Sequence, residues 1–251
     1  MAWVLDLDGV VWLGDEVIEG SPGAVDRLRV AGEPLLFITN NSSLTVGQYT
    51  AKLERMGIAV EQDELVTSAE AAASLLAPGS TALVCAGPGV NEALERRGVH
   101  SVRAGAADVV VVGWHRDFDF ERLTIAARAV MGGARLVGTN DDPTYPSPDG
   151  PLPGCGAILA AVATAAGVRP EVAGKPYDAM VELVRHRVGG DGGVMAGDRP
   201  STDGLLARRL GLRFGLVLSG VTTEADLPVD PAPDVVASNL ASLVERELGS
   251  Q

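Results

Sequence analysis

The chain has 251 residues and a formal net charge of −13, and 46% of its residues are hydrophobic while only 4% are aromatic. An acidic protein does not attract phosphate backbones or anionic lipids, so we expect neither nucleic-acid binding nor membrane binding. A local cation can invert the field inside a cleft, so the composition still allows an anionic substrate.

Cysteine and lysine are both rare in this chain. Cys85 and Cys155 lack CxxC spacing, which argues against a disulfide framework or a zinc site and favours a reducing compartment. With no signal-peptide pattern, and with the apolar stretch 156–167 too short to cross a bilayer, we expect a cytoplasmic protein. Only Lys52 and Lys175 among the 20 basic residues are lysine, so both are candidates for a role that needs a compact charge.

Short apolar runs alternate with amphipathic segments, which predicts βα units and a parallel sheet. Before the break at Pro78-Gly79, the pattern predicts strands at 3–5, 35–38 and 65–67 and helices at 21–31, 46–56 and 69–76. After it, the pattern predicts strands at 82–85, 109–112 and 136–138 and helices at 90–97, 120–131 and 157–166. Residues 139–146, rich in proline and aspartate, predict a loop. The remainder predicts strands beginning at 172, 194, 214 and 235 and a closing helix.

The breaks at Pro78-Gly79 and Arg169-Pro170 predict an inserted domain. We expect a discontinuous α/β core of residues 1–78 and 170–251, and an inserted α/β domain of residues 79–169. The fold class is therefore α/β, with a Rossmann-like parallel sheet in the core.

The first strand runs directly into two acids, Asp6 and Asp8. On a regular strand, residues two apart share a face, and like charges held close repel unless a proton or a cation intervenes. Mg²⁺, which prefers hard oxygen ligands such as carboxylates, is the simplest cation to relieve this repulsion. Solvated turn residues are the alternative interpretation of this pair.

Polar groups follow several other apolar runs: Thr39 with Asn40 and Asn41, Lys175, and Asp198 with Asp203. Because the carboxyl ends of parallel strands open on one edge of a sheet, these groups can converge there. This set indicates phosphoryl transfer, because it supplies two metal-ligating acids, a hydroxyl, a lysine and a nucleophilic carboxylate.

Four segments in this order resemble the motifs of the haloacid dehalogenase (HAD) superfamily: residues 6–11 (DLDGVV), 38–42 (ITNNS), 174–176 (GKP) and 197–203 (GDRPSTD). The residues within these motifs are similar to those of the class IIA phosphatases, the group of NagD, nitrophenylphosphatase and the pyridoxal- and glycolate-phosphate phosphatases. Residues 138–143 (GTNDDP) and 153–156 (PGCG) resemble that class's cap domain. The resemblance implies a HAD core with an inserted cap, and hydrolysis of small phosphomonoesters.

The resemblance also implies roles for the acids. Asp6 is expected to attack phosphorus and form an aspartyl-phosphate, and Asp8 to move protons to the leaving alcohol and from water. Mg²⁺ is expected on the Asp6 carboxylate, the Asp8 backbone carbonyl and Asp198, with Asp203 acting on it indirectly.

For the substrate, the resemblance implies that Thr39 and the amides of Asn40 and Asn41 bind phosphoryl oxygens. Lys175 is expected to neutralise the nucleophile and the phosphate, and Tyr145 to contact the substrate from the cap. The expected partner is a small phosphorylated metabolite, and a homodimer through the cap is possible.

Other interpretations stay open on the residues alone. A receiver-like signalling domain also carries an aspartyl-phosphate, but it is about 120 residues long, within ordinary single-domain size, and has no cap insert. A HAD-fold phosphotransferase or dehalogenase would share the nucleophile; Asp8 speaks against halide removal, which needs no acid there. A catalytically silent binding protein is the fourth alternative.

Two residues outside these roles also carry expectations. Gly204 stands where the class tends to have isoleucine, and it is expected to loosen the following helix. His115 is expected on the surface of the cap.

Overall fold

The computed structural model describes residues 1–147, 149–189 and 192–249. In these ranges the helices are α1 (Ser21–Val30), α2 (Val46–Arg55), α3 (Ser68–Ser74), α4 (Pro88–Arg97), α5 (Phe120–Met131), α6 (Cys155–Ala166), α7 (Asp178–Val188), α8 (Leu205–Leu210) and α9 (Leu240–Gly249). Shorter helical turns span Gln62–Glu64, Pro200–Gly204 and Glu224–Asp226.

The strands in the same ranges are β1 (Ala2–Asp6), β2 (Trp12–Leu13), β3 (Glu16–Val17), β4 (Leu35–Thr39), β5 (Leu65–Thr67), β6 (Thr81–Cys85), β7 (His100–Val102), β8 (Val109–Val112), β9 (Arg135–Gly138), β10 (Thr144–Tyr145), β11 (Leu152–Pro153), β12 (Glu171–Val172), β13 (Gly193–Gly197), β14 (Arg213–Val217) and β15 (Val235–Ala237). The alternation of strands and helices confirms the predicted α/β class.

Two parallel sheets organise the described residues. The larger has six strands in the order β15-β14-β13-β1-β4-β5, and the smaller has five in the order β12-β9-β8-β6-β7. In the larger sheet β1 lies between β13 and β4, with Val4 opposite Met195 and Leu36. This central place surrounds Asp6, the last residue of β1, with the ends of two other strands.

Alternating side chains of β1 divide the core between the two faces of the larger sheet. Trp3 and Leu5 enter one apolar cluster, while Val4 enters another. The cluster around Val4 continues into the smaller sheet, where it includes Val111 and Val137. The two sheets therefore share buried apolar surface, which favours a defined placement of the insert on the core.

Four local features were missed or differ from the sequence predictions. Helix α7 and strand β7 were not predicted, and neither was the β2–β3 ribbon. The predicted loop at 139–146 includes strand β10, which pairs antiparallel with β11. Strands of two or three residues are too short to show a period of two in the sequence.

The chain leaves the smaller sheet later than the proline at position 170 indicates. Glu171 and Val172 pair with Val137 and Gly138 of β9 in that sheet. We therefore propose that the insert spans residues 79–172 and that the core resumes at 173; residues 250 and 251 lie outside the described ranges. Among the described residues, no helix combines the length and apolar character needed to cross a bilayer.

Candidate active site

The carboxyl ends of the central strands gather most of the predicted site residues. Asp6 ends β1, Thr39 ends β4, and Asp198 directly follows β13. Lys175 reaches the same edge on the segment that returns from the insert, where its backbone N–H donates to Asn40 Oδ1 at 2.7 Å. The parallel topology thus brings together groups that are far apart in the sequence.

Lys175 is the centre of a buried charge cluster. Its Nζ lies 2.7 Å from Asp6 Oδ1 and 2.8 Å from Asp203 Oδ1. Oxygens of Asp6, Asp198 and Asp203 all lie within 4.8 Å of one another, and all three residues are buried. Three carboxylates therefore face one ammonium group.

This donor set fits Mg²⁺, which prefers carboxylate oxygens and waters. The hydrogen bonds to Asp6 use Oδ1, and the backbone N–H of Val221 donates to Asp198 Oδ2, so each carboxylate keeps a second oxygen for a cation. Asp203 differs, because Lys175 binds its Oδ1 and the Arg199 N–H donates to its Oδ2. Because both of its oxygens are occupied, Asp203 is placed to hold Lys175 and the Arg199 backbone rather than to bind Mg²⁺ directly.

Burial and mutual repulsion set the electrostatics of the cluster. Burial raises the pKa of Asp6 well above its ordinary value, although the Lys175 ammonium opposes the shift. Burial, reinforced by Asp203, raises the pKa of Asp198 to about 7. Burial alone would lower the pKa of Lys175, but the carboxylates of Asp203 and Asp6 outweigh it and raise that pKa. The acids thus hold the lysine charged, while their own negative charges call for a further cation.

Two glycines make room for the Asp198 carboxylate. A Cβ on Gly9, whose φ is +84°, would lie 2.3 Å from Asp198 Oδ2, and a Cβ on Gly220 would lie 1.9 Å from it. Any side chain at either position would displace the carboxylate.

Gly204 does not loosen the start of α8, contrary to the sequence expectation. It lies in the buried turn Pro200–Gly204, where a Cβ would come within 2.7 Å of Pro231 Cγ and 2.9 Å of Phe214 Cε1. Pro231 and Phe214 occupy the space that a side chain at position 204 would fill, so the turn that carries Asp203 is tightly packed.

Asp8 belongs to a different environment from Asp6. Strand β1 ends at Asp6, so Asp8 lies beyond it and the two carboxylates do not share the strand face that regular spacing predicts. Asp8 Oδ1 accepts hydrogen bonds from Tyr145 Oη and Trp12 Nε1, each at 2.9 Å. Its Oδ2 accepts a hydrogen bond from Thr39 Oγ1 at 3.3 Å. Asp8 is only partly buried and faces the cleft.

The segment after β4 is held by its own side chains. The Asn40 side chain binds both backbone groups of Lys175 and donates to Asp142 Oδ2 at 3.0 Å. The Asn41 N–H donates to Thr39 Oγ1 at 3.0 Å, while Tyr49 Oη donates to the Asn41 carbonyl at 2.7 Å. The Asn40 side chain thus braces the backbone of Lys175.

The insert contributes the other wall of the cleft through β10. Tyr145 stacks on Trp114, with ring centroids 4.8 Å apart, and its hydroxyl reaches Asp8. Arg199 donates to the Thr144 carbonyl at 3.3 Å and lies 3.8 Å from Asp142 Oδ1. These contacts tie the loop of the insert to the turn that carries the buried acids.

The cleft between core and insert has a volume of about 50 Å³, enough for a few waters or a phosphoryl group. Its lining includes every predicted site residue except Asp203, which lies behind Lys175: Asp6, Asp8, Thr39, Asn40, Asn41, Tyr145, Lys175 and Asp198. The lining or supporting residues to which the sequence assigned no role include Trp12, Trp114, Asn140, Asp142 and Arg199. Asp142 lies inside the segment 138–143 and Arg199 inside the segment 197–203, both of which resemble family motifs, whereas no local signal marks Trp12 or Trp114.

His115 is buried rather than exposed, which corrects the sequence expectation. Its Nδ1 lies 2.8 Å from the Gly113 carbonyl oxygen, and its Nε2 lies 3.9 Å from Cys85 Sγ. Burial raises the pKa of Cys85 to about 12 and that of Cys155 to about 11, so both side chains stay as thiols. His115 and Cys85 contact each other within the insert, whereas Cys155 lines the cleft from the insert side.

Comparisons with known proteins agree with the geometry. A family described as haloacid dehalogenase-like hydrolase matches residues 3–100, and one described as HAD-hydrolase-like matches residues 172–243. An acid sugar phosphatase of Staphylococcus aureus is 36% identical over 231 residues, which is 90% of this chain and 89% of the relative.

Solved structures give the same result. A glycerol phosphate phosphatase of Mycobacterium tuberculosis, crystallised with magnesium, superposes with a TM-score of 0.88 at 33% identity, over 96% of this chain and 75% of the other. A p-nitrophenyl phosphatase of Archaeoglobus fulgidus superposes with a TM-score of 0.88 at 30% identity, over 98% of each chain. A receiver-like domain is thereby excluded, because the likeness includes the insert. The chain belongs to the haloacid dehalogenase-like hydrolases, and within them to the class IIA phosphatases.

Proposed function

We propose that this chain hydrolyses small phosphate monoesters with Mg²⁺, and that Asp6 carries the phosphoryl group between two steps. The observation that carries the proposal is the pairing of Asp6 with Lys175 at 2.7 Å, at the open edge of the sheet and beside Asp198. Burial opposes ionisation of Asp6, whereas the Lys175 ammonium group and a Mg²⁺ ion on the same carboxylate would both favour the ionised form that attacks phosphorus.

In the first step, Asp6 forms a bond to phosphorus and the bond to the leaving oxygen breaks. Asp8 donates a proton to that oxygen, so the alcohol leaves neutral. In the second step, Asp8 takes a proton from a water that attacks the aspartyl-phosphate, which releases inorganic phosphate and restores Asp6. The different surroundings of the two acids support this division of labour.

The charge on the transferred group requires compensation in both steps. Mg²⁺ held by Asp6, the Asp8 backbone carbonyl and Asp198 would supply positive charge at the phosphoryl oxygens. Lys175 neutralises charge on the nucleophile, which its Nζ contacts directly. Thr39 Oγ1 and the backbone amides of Asn40 and Asn41 would bind the phosphoryl oxygens, with Thr39 Oγ1 and the Asn41 N–H exchanging their present hydrogen bonds for the substrate.

For the substrate, we propose a phosphorylated polyol or sugar of a few carbon atoms. Its hydroxyl groups would meet the polar wall made by Asn140, Asp142 and Arg199, while its carbon chain would lie against Tyr145 and Trp114. The similar proteins act, by their names, on sugar phosphates and on glycerol phosphate. Initial rates on a panel of phosphorylated metabolites test this choice, and preference for a nucleotide or an aromatic phosphate would contradict it.

The nucleophile is tested by Asp6→Asn, with Asp26→Asn as a matched control because Asp26 is an exposed carboxylate on α1. Asp6→Asn should lower Mg²⁺-dependent phosphate release by about 10⁴-fold or more, since an amide does not attack phosphorus. Rapid acid quenching and mass spectrometry should find phosphate on Asp6 in the wild type. Wild-type rates in Asp6→Asn would refute the assignment.

The assembly and the compartment are further parts of the proposal. Phe120 is 82% exposed and Met131 is 61% exposed at the two ends of α5 in the insert, which supports a homodimer through the cap. Light scattering of the wild type and of Phe120→Glu tests it, because a charge there should shift a dimer to monomers. The buried free thiols of Cys85 and Cys155 support a cytoplasmic location, which cell fractionation tests.

A further inference from the structure

Lys52, the second lysine of this arginine-rich chain, is buried on α2. It is 8% exposed, and its Nζ donates to the Gly14 carbonyl at 2.6 Å. The nearest carboxylate, Asp15 Oδ1, lies 3.5 Å away on a side chain that is 99% exposed. An ammonium group loses much hydration on burial, so its placement calls for a compensating contact.

Trp12 supplies that contact. Lys52 Nζ lies 4.3 Å from the centre of the Trp12 ring, within the range of a cation–π interaction. Tyr49 stacks on the same ring, with centroids 6.4 Å apart and planes 8° from parallel. Because Tyr49 and Lys52 are three residues apart on α2, they share one face of the helix and both contact the indole.

The indole in turn holds Asp8. Trp12 Nε1 donates to Asp8 Oδ1 at 2.9 Å, and the Gly9 N–H donates to the Trp12 carbonyl at 2.7 Å. Trp12 is 1% exposed, so its ring has no room to turn away. Beside the hydrogen bonds from Tyr145 and Thr39, the indole that α2 holds in place therefore helps to set the direction in which the Asp8 carboxyl faces.

We propose that Lys52 is a positioning residue for catalysis: through Trp12 it keeps the Asp8 carboxyl oriented for proton transfer. This inference rests on the proposed function, in which Asp8 moves the protons. A compact ammonium group can lie over the indole and also bond to Gly14, whereas arginine would spread its charge over a plane. Small errors in the placement of an acid reduce catalysis strongly, so support at this distance from the reacting atoms has a measurable effect.

The test uses the dependence of rate on the leaving group. Nitrophenolate leaves without protonation, whereas the alkoxide of glycerol phosphate needs an acid. We define R as kcat/KM for glycerol 3-phosphate divided by kcat/KM for 4-nitrophenyl phosphate, relative to the wild type. Because kcat/KM reports the reaction up to release of the leaving alcohol, the second step that both substrates share does not enter R. Loss of a proton donor lowers R, whereas general loss of folded protein leaves R unchanged.

Four variants are compared with the wild type in Mg²⁺. Asp8→Asn should lower R by about 100-fold, and Trp12→Phe, which keeps a ring but removes the Nε1 donor, by about tenfold. Lys52→Met, which keeps the length of the side chain without its charge, should lower R by about threefold to tenfold. Arg55→Met removes an exposed charge from the same helix and should leave R unchanged.

The double variant Trp12→Phe/Lys52→Met should give the same R as Trp12→Phe alone, because Lys52 acts through Trp12. Thermal unfolding confirms that each variant is folded at the assay temperature. If R is unchanged in Lys52→Met, whether or not its Tm falls, Lys52 contributes only to stability and the proposal is overturned. An unchanged R in Trp12→Phe would overturn it even if Lys52→Met failed to fold.

The two levels of proposal fail in different ways. If the wild type releases no phosphate, or if Asp8→Asn leaves R unchanged, the acid role is wrong and the role of Lys52 is wrong with it. If Asp8→Asn lowers R while Trp12→Phe or Lys52→Met does not, only the role of Lys52 is wrong.

Discussion

The larger and the smaller sheet are built alike from parallel strands, yet the residues at their carboxyl ends differ. The ends of the larger sheet carry Asp6 and Asp198 with their charges. The ends of the smaller sheet carry Thr139, whose hydroxyl bonds to Ser42 of the core, and Gly113, where a Cβ would lie 2.7 Å from Ser42 Oγ. Parallel topology opens one edge of each sheet, and the residue types there decide whether that edge performs chemistry or docks a neighbour.

The docking edge depends on close approach of backbone to backbone. A Cβ on Gly89 would lie 2.1 Å from the Leu44 carbonyl oxygen, and one on Gly87 would lie 2.7 Å from that of Ser43. Thr139 Oγ1 and Ser42 Oγ are 2.9 Å apart and fully buried. Small neutral residues thus press the insert onto the segment that follows β4, the same segment proposed to bind phosphate.

The largest effect is expected where charge is removed from the catalytic edge. Lys175→Met should lower kcat/KM by about 10³-fold, because the nucleophile and the phosphate lose their ammonium partner. It also leaves three buried carboxylates without that charge, so the metal-free variant should unfold at a lower temperature. Steady-state kinetics and calorimetry measure both effects. Arg128→Met, an exposed site on α5, is the control and should match the wild type.

Metal removal probes the same edge. The raised pKa of Asp198, about 7 in the metal-free protein, means that stability is lost as pH rises from the unfolded value towards 7. Mg²⁺ relieves the repulsion between ionised acids, so it should stabilise the protein more at pH 8 than at pH 5.5. At one fixed Mg²⁺ concentration, chosen as 100 times the Kd at pH 8, the gain at pH 8 is about 3 kcal/mol and the gain at pH 5.5 is smaller. Calorimetric Tm values with Mg²⁺ or EDTA measure it, and an equal gain at both pH values would contradict the prediction.

A side chain at the docking edge should separate the sheets without touching the acids. Gly89→Ala should lower the free energy of unfolding by about 2 kcal/mol, because its Cβ collides with the Leu44 carbonyl. It should also raise KM, because the segment that follows β4 is displaced, and the Asn41 N–H of that segment holds Thr39 Oγ1. Gly47→Ala on α2 is the matched control: its Cβ meets nothing within 4 Å, so stability should be unchanged or higher. Urea unfolding and kinetics distinguish the two variants.

The smallest effect is expected from one hydroxyl pair. Thr139→Val keeps the shape of the side chain but leaves buried Ser42 without that partner, at a cost of about 1 kcal/mol. Thr164→Val, at an exposed position on α6, should change little. Equal unfolding free energies of the two variants would show that this hydroxyl pair does not contribute to docking.

The convergence of residues that stand next to a strong strand signal could be predicted from the sequence. Asp6, Thr39 and Asp198 each follow an apolar run, so their meeting at one edge could be predicted from parallel topology. Lys175 follows the weaker run at 172–173, and its rarity among arginines pointed to a special role. Trp12 could not be found this way, because its contact with Asp8 arises in a turn.

The order of the sequence determined the α/β class, the insert, the family and the residues proposed for chemistry, because apolar periodicity and motif order are local properties of the chain. Only the tertiary structure decided that Asp8 faces Tyr145 and Trp12 while Asp6 faces Lys175. It also decided that Val172 still belongs to the smaller sheet and that Lys52 lies on an indole. Such pairings join residues distant in sequence, and they depend on packing geometry that no local pattern encodes.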